Sequence, residues 1–121
     1  MASLDGRVAL VSGAGPNIGG EIAKLLAANG ANVGCLDMRP EVAASCADGI
    51  NAAGGAATPL VADITNEAQV EKAVGELVAK FGSLDILVNN VAISLPGNLL
   101  DLPLEHWRRN LDVVLTGTFL C

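Results

Sequence analysis

Residues 7–30 read RVALVSGAGPNIGGEIAKLLAANG, and this stretch decides the fold. Its apolar run, residues 8–11, ends in small residues and glycines. An amphipathic run then begins at Ile18, and its apolar residues recur at helical spacing as far as Leu26. This order predicts a strand, a tight glycine turn and a helix. In dinucleotide-binding proteins the amides of such a turn, together with the helix N-terminus, receive a pyrophosphate.

The composition fits one domain with a core of small aliphatic side chains. Hydrophobic residues make up 51% of the 121 residues and aromatic residues only 2%. That mixture suits helices packed closely on a parallel sheet whose two faces are both buried. The net charge of −6 argues against nucleic acid or an anionic membrane as the main partner.

The sequence also gives expectations about compartment and metals. No apolar run approaches the roughly 18 residues that span a bilayer, and the N-terminal MASLDG has no secretory-signal pattern. Cys35, Cys46 and Cys121 have no metal-ligand or C-x-x-C spacing. We therefore expect a cytoplasmic protein with reduced cysteines, no metal site and no membrane partner.

Strands and helices alternate along the predicted chain. Apolar runs predict strands at 7–13, 31–36, 57–62 and 84–91. Periodic segments predict helices at about 17–29, 41–53, 66–81 and from 104 to the last residue. Asn17 or its neighbour is the expected cap of the first helix, and Thr65 or Asn66 that of the third. The pattern predicts an α/β fold, a Rossmann-like doubly wound parallel sheet of about four strands in the order 3-2-1-4 with flanking helices.

The end of the chain predicts an incomplete sheet. Doubly wound folds normally continue beyond strand four, and no further strand follows in this sequence. The last helix carries apolar residues suited to burial: Val113, Val114, Leu115, Phe119 and Leu120. We therefore expect an exposed sheet edge and an uncovered apolar helix, as in the front part of a larger domain.

The glycine turn departs from the most general dinucleotide fingerprint. The pattern G-x-G-x-x-G fits at Gly13 and Gly15 but fails at Ile18. A longer spacing from Gly13 to Gly19 does fit, with Asn17 where a middle glycine would stand. Asparagine tolerates left-handed backbone and caps helices, so the replacement is physically permitted. From the turn alone, a phosphate cradle and a plain packing turn both remain open.

Acidic and amide residues follow the predicted strands, at the edge where open α/β sheets bind ligands. Asp37 can accept hydrogen bonds from an adenosine ribose and repels a 2′-phosphate, which favours NAD over NADP; the nearby Arg39 weakens that preference. Asp63 follows the third strand and could equally cap the next helix. The pair Asn89 and Asn90 ends the fourth strand, where a buried amide could line a site, bridge neighbouring backbone, or do both.

Taken in order, these motifs resemble the short-chain dehydrogenase/reductase family: SGAGPNIG at 12–19, an acid at 37, DI at 63–64, NNVA at 89–92 and WRRNLDVVLTGTF at 107–119. That family carries a TGxxxGxG turn, an aspartate near the adenine, an NNAG motif and a segment close to WxxxLxVNLTGTF. The resemblance runs from about residue 7 to the C-terminus. It implies an NAD-dependent oxidoreductase, usually a homo-oligomer, that transfers a hydride between nicotinamide and a carbonyl or alcohol substrate.

The resemblance also implies roles for the residues at matching positions. The pyrophosphate side of the cofactor would be lined by Ser12, Gly13, Asn17, Ile18 and Gly19. The adenosine ribose would be held by Asp37, and the adenine by Asp63 and Ile64. The pocket wall would be formed by residues 89–92, among them Asn89, Val91 and Ala92.

Several positions depart from the family pattern. Asn17 replaces a glycine, Ser12 a threonine, and the pair at 91–92 an Ala-Gly. Val114 stands where the family carries the asparagine of its catalytic tetrad, and the chain contains no tyrosine for the tetrad's Tyr-x-x-x-Lys pair. By this resemblance, residues 1–121 are an NAD(P)-binding Rossmann-like domain truncated before its catalytic half, without catalytic residues and inactive by itself.

Two other functions remain open. Val114 and the missing tyrosine favour a non-catalytic nucleotide-binding module, either degenerate or truncated. A methyltransferase with a related sheet is weaker, because it leaves the asparagine pair and the 107–119 segment unexplained. His106 is expected to be structural, since a catalytic base needs a partner that the sequence does not identify.

Overall fold

A computed structural model describes residues 3–121, in which strands and helices alternate. The strands are β1 (Val8–Ser12), β2 (Asn32–Asp37), β3 (Ala56–Val61) and β4 (Ile86–Val88). The helices are α1 (Ile18–Ala28), α2 (Pro40–Ala52), α3 (Glu67–Phe81), α4 (Leu104–Asn110) and α5 (Gly117–Leu120), with a π-helical segment (Leu111–Thr116) between the last two.

The four strands form one parallel sheet in the predicted order, β3-β2-β1-β4. In the register of the sheet, Val8 of β1 pairs with Asn32 of β2, and Ala9 pairs with Ile86 of β4. Because the strands are parallel, their carboxyl ends meet at one edge, and the loops that follow them lie there together. The predicted α/β, Rossmann-like fold is therefore confirmed.

Successive side chains of the central strand, β1, lie alternately in two apolar layers. Ala9 and Val11 lie in a layer with residues of β2, α1 and α2. Val8 and Leu10 lie in a second layer with residues of β2, β3 and α3. All four side chains are fully buried. The central strand is therefore covered on both faces by aliphatic residues, as the composition predicted, whereas the edge strands keep exposed residues such as Val61 and Leu87.

β4 is shorter than predicted, Ile86–Val88 rather than 84–91, because side chains take over hydrogen bonding at both of its ends. Before the strand, Asp85 Oδ2 accepts a hydrogen bond from the N–H of Val8 at 2.8 Å. After the strand, the N–H of Asn90 donates to Ser12 Oγ at 3.1 Å instead of to a backbone carbonyl. The residues at 89–91 therefore belong to a loop.

The predicted last helix is present but is not uniform. Its middle is wound as a π-helix, on which Val113 is buried. Val114, Leu115 and Phe119 are 41%, 66% and 84% exposed, so the apolar face expected to need a cover is open in the described part of the chain. No helix within residues 3–121 is both long and apolar enough to cross a membrane.

Candidate functional site

A cleft of about 590 Å³ lies at the carboxyl edge of the sheet. Its walls come from the glycine turn after β1, the ends of β2 and β3, the loop after β4, α4 and the π-helical segment. Most of the predicted site residues line it: Gly13, Asn17, Ile18, Gly19, Asp37, Asp63, Ile64, Val91 and Ala92. Its volume is within the range of small-molecule sites.

The glycine turn folds tightly against the start of α1. Gly13 has left-handed backbone with a φ of 70°, which favours glycine. A Cβ at Gly19 would overlap the carbonyl oxygen of Gly13, so this close approach requires glycine. The first N–H groups of a helix have no intrahelical partner, and Ile18 and Gly19 both line the cleft. The turn therefore offers hydrogen-bond donors to an anion.

Asn17 occupies the N-cap position of α1, but its side chain makes no capping hydrogen bond. Its φ of −93° lies outside the left-handed region, so the tolerance of asparagine for that region is not used here. At the start of α3 the expectation is met, because Asn66 Oδ1 accepts from the N–H of Gln69 at 3.1 Å. Asn17 instead presents an exposed side chain at the cleft.

Ser12 and Asn90 join the end of β1 to the loop after β4. Ser12 is buried beneath the cleft, where its hydroxyl donates to the carbonyl of Val88 at 3.3 Å and accepts from the N–H of Asn90 at 3.1 Å. Asn90 Nδ2 donates to the carbonyl oxygen of Gly13 at 2.9 Å. These bonds fix the position of the glycine turn relative to the sheet. Ser12 therefore supports the cleft without lining it.

The two members of the asparagine pair differ in position. Asn90 lines the cleft, whereas Asn89 is exposed and outside the lining. The structural amide that the sequence suggested is therefore Asn90, which lies within the predicted 89–92 wall, and not Asn89. Two adjacent asparagines in the sequence indicated a structural amide, but they did not indicate which of the two side chains points towards β1.

Asp37 and Arg39 form an ion pair at the end of β2. Asp37 is only 6% exposed, and its Oδ1 accepts from the backbone N–H of Arg39 at 3.0 Å and from Nε at 3.1 Å. The hydrogen bond, reinforced by the negative charge, raises the pKa of the Arg39 guanidinium. Both bonds fall on Oδ1, which leaves Oδ2 without a hydrogen-bond donor among the residues that the structure describes.

Asp63 organises the entry to α3. Its Oδ1 accepts from the hydroxyl and the N–H of Thr65 at 2.7 and 2.9 Å, and its own N–H donates to Gln69 Oε1 at 2.8 Å. The hydroxyl bond, followed by the N–H bond, lowers the pKa of Asp63, and the positive charge of Arg109 adds to this effect. Asp63 thus lines the cleft while also holding the loop before α3, and Asn66 supplies the cap itself.

Ile64 forms part of the cleft wall where the C-terminal helices approach the sheet. It is buried, and a Cβ at Gly117 would lie 2.5 Å from its Cδ1, so the absence of a side chain there permits the contact. Arg109 of α4 and Val113 line the same region. The sequence did not identify Arg109 as a site residue, because its place depends on the path of the long loop before α4.

The lining suits binding more than proton transfer. Its titratable side chains are Asp37, Arg39, Asp63 and Arg109. Carboxylates accept hydrogen bonds from hydroxyl groups, and guanidinium groups bind anions. His106 and Val114 lie outside the lining, and the Nε2 atom of His106 is 3.9 Å from Glu105 Oε1. Across residues 3–121, no cluster of histidine, cysteine and acidic side chains is placed to hold a metal ion.

Comparison with known proteins gave consistent matches. A family profile described as short chain dehydrogenase matches residues 7–121. The 2,5-dichloro-2,5-cyclohexadiene-1,4-diol dehydrogenase of Sphingobium indicum is 38% identical, over 100% of this chain and 48% of that protein. The D-threitol dehydrogenase of Mycolicibacterium smegmatis is 37% identical, over 97% of this chain and 45% of that protein.

The solved structures agree with the sequence matches. A crystal structure of a short-chain type dehydrogenase/reductase from Mycobacterium marinum superimposes with a TM-score of 0.93 at 35% identity, covering 98% of this chain and 48% of that one. The chain therefore spans about half the length of the curated relatives and solved structures that it matches.

Proposed function

Because this chain belongs to the short-chain dehydrogenase family, we propose that its cleft binds the adenosine diphosphate part of NAD. The observation that carries the proposal is that the glycine turn, the Asp37 carboxylate and the pair at 63–64 all line one cleft. Those three surfaces suit a pyrophosphate, a ribose and an adenine in that order.

A pyrophosphate fits the turn for steric and electrostatic reasons. It must approach backbone N–H groups closely. Gly19 lets the start of α1 pack directly on the carbonyl of Gly13, and Gly15 lines the cleft without a side chain to cover the backbone. Arg39 and Arg109 line the same cleft and are the cations that can balance its negative charge.

We propose NAD rather than NADP because Asp37 is already engaged with Arg39. Oδ2 of Asp37 is free to accept hydrogen bonds from ribose hydroxyls. A 2′-phosphate in the same position would meet this carboxylate at short range, and like charges repel. Arg39 already bonds to Asp37 through Nε, so part of its positive charge is offset by that carboxylate.

The whole protein is, in this proposal, an NAD-dependent oxidoreductase of which this chain is the cofactor-binding part. NAD, when bound, supplies the hydride acceptor for the reaction. The described residues bind and orient: Asp37 holds the ribose, while Ser12 and Asn90 keep the turn in place. Two relatives are named for a cyclohexadiene diol and for D-threitol, which supports a small alcohol, or the corresponding carbonyl compound, as the substrate.

We also propose that the whole protein is a homo-oligomer. The support is the open apolar face of the C-terminal helices, where Leu115 is 66% and Phe119 84% exposed. Apolar area of this kind is normally covered in a stable protein. The size of the intact protein in solution, measured by light scattering, tests this part of the proposal.

Cofactor binding is tested by titrating the chain with NADH and following the fluorescence of the nicotinamide. We expect saturable binding of NADH. Its affinity should exceed that of NADPH by about tenfold or more, because the loss of one charged hydrogen bond corresponds to about that factor. No binding of either cofactor at millimolar concentration would contradict the proposal. Equal binding of the two would contradict only the choice of NAD.

A further inference from the structure

Arg109 is a cation of the cleft whose side chain has no partner within residues 3–121. It lines the cleft together with Asp63, Ile64 and Val113, the wall that the proposed function assigns to the adenine. No hydrogen bond or ion pair joins its guanidinium to another side chain in that part of the protein. Arg39, the other arginine of the lining, is by contrast bonded to a carboxylate. The guanidinium of Arg109 is therefore available to a ligand.

The winding of the C-terminal helices places Arg109 at the cleft. Arg109 and Val113 line the cleft, and Gly117 packs against Ile64 in the cleft wall. The first three of these residues are spaced by four, and in an α-helix residues eight apart diverge by about 80° around the axis. The segment Leu111–Thr116 is π-helical, and each residue of a π-helix turns through a smaller angle because a turn contains more residues. The π-helical segment therefore keeps Arg109 on the same face as Gly117.

The other side chains of this wall suit one face and one edge of a flat base. Ile64 and Val113 are buried aliphatic side chains, and they offer an apolar surface to one face. Asp63 accepts both bonds from Thr65 on Oδ1, so Oδ2 can accept from an amino group on the edge of the base. Arg109 is exposed and has the long side chain that can close over the opposite face. Guanidinium groups stack on aromatic faces in this way.

We propose that Arg109 is a specificity-determining residue of the cleft, whose guanidinium plane lies on the adenine base and holds it against Ile64 and Val113. This inference rests on the proposed function, because it requires the nucleotide to bind with its base at this wall. The contact depends on the planar shape of the guanidinium as well as on its charge. Lysine keeps the charge without the plane, so it does not replace arginine at a stacked site.

The experiment compares the parent chain with Arg109→Ala and Arg109→Lys. Each protein is titrated with NADH, followed by the fluorescence of the nicotinamide, and the bound NADH is then displaced with AMP. We expect both variants to bind NADH about fivefold more weakly, the effect of one cation–aromatic contact. The affinity for AMP should fall by the same factor, because AMP carries the base without the nicotinamide.

Arg108→Ala and Arg108→Lys are the matched controls. Arg108 is the adjacent arginine of α4, and it is exposed and lies outside the cleft lining. Its replacement by alanine removes the same charge, so a general electrostatic effect would appear in both alanine variants. We expect the two Arg108 variants to keep the affinities of the parent chain for NADH and AMP.

Three results would overturn the inference while leaving the proposed cofactor site intact. They are parent-like affinities in Arg109→Ala, parent-like affinities in Arg109→Lys, which would show that charge alone acts, and an equal loss in the Arg108 variants. Failure of the parent chain to bind NADH or AMP at millimolar concentration is a different outcome. It would contradict the proposed cofactor site, and the role of Arg109 would be rejected with it.

Discussion

At the scale of single residues, Asp37 combines burial with a charge that is only partly satisfied. Its Oδ1 binds Arg39, and its Oδ2 is left for a ligand. In Asp37→Ala, the acceptor for ribose hydroxyls is lost and Arg39 is released. We expect NADH affinity to fall about tenfold and NADPH affinity to rise, because a free arginine can bind a 2′-phosphate. Fluorescence titrations with both cofactors measure this change.

The matched control for that change is Asp48→Ala, which removes an exposed aspartate from α2. It lowers the net negative charge of the chain by the same amount, so a general electrostatic effect would appear in both variants. We expect the control to keep the affinities of the parent chain. If Asp37→Ala also keeps its preference for NADH, Asp37 does not hold the ribose.

Gly19 is the second residue whose replacement has a definite structural consequence. A Cβ there would overlap the carbonyl oxygen of Gly13, which is backbone and cannot rotate away. We expect Gly19→Ala to lower the free energy of unfolding by about 1–3 kcal/mol, as overpacking does, and to abolish NADH binding. Urea denaturation and the same fluorescence titration measure the two effects.

Gly75→Ala is the matched substitution for that test. Gly75 lies on α3, and apart from the backbone of its own helix a Cβ there would meet no atom within 4 Å. Alanine is the better helix former by about 0.5–1 kcal/mol, so we expect this variant to be more stable and to bind NADH normally. Equal behaviour of the two alanine variants would show that the turn tolerates a side chain at Gly19.

At the scale of elements, Asp85 fixes the start of β4 by a side-chain bond. Its carboxylate accepts from the N–H of Val8 and from the hydroxyl of Ser83 at 2.8 and 2.9 Å, and Arg7 lies 3.4 Å away. These contacts, the Val8 bond first, lower the pKa of Asp85 in the folded chain. Because the pKa of Asp85 is lower in the folded chain than in the unfolded chain, where it is about 3.9, its charged carboxylate stabilises the fold above that pH. This stabilisation is lost as the pH falls through the folded-state pKa.

Asp85→Asn should therefore be less stable than the parent chain at pH 7, and the difference should shrink as the pH falls below about 4. Urea denaturation across this pH range measures the difference directly. Asp48→Asn, which also removes one negative charge but from an exposed position on α2, is the matched control. If the stability difference between Asp85→Asn and the parent chain stays the same in acid, the effect comes from packing and not from the charge of the carboxylate.

At the scale of the whole molecule, the features that could be predicted are those that depend on local pattern. The glycine turn, the alternation of strands and helices, and Asp37 at the end of β2 are all local in the sequence, and together they predict the strand order. The position of Arg109 in the cleft is not local, because it depends on how the loop before α4 crosses the sheet edge. The choice between Asn89 and Asn90 could not be predicted either, since strand alternation stops at Val88.

The C-terminal helices leave an apolar face open, and this face should cause the chain to self-associate. Leu115 and Phe119 are largely exposed, and apolar area of this kind associates with similar area on other molecules. We expect Leu115→Ser with Phe119→Ser to reduce concentration-dependent light scattering, with the free energy of unfolding changed by no more than about 0.5 kcal/mol. Asp112→Ser, an exposed polar substitution on the same segment, should scatter like the parent chain. If the double variant self-associates as strongly as the parent chain, the contact lies elsewhere, and the nearest alternative is the uncovered edge of β4.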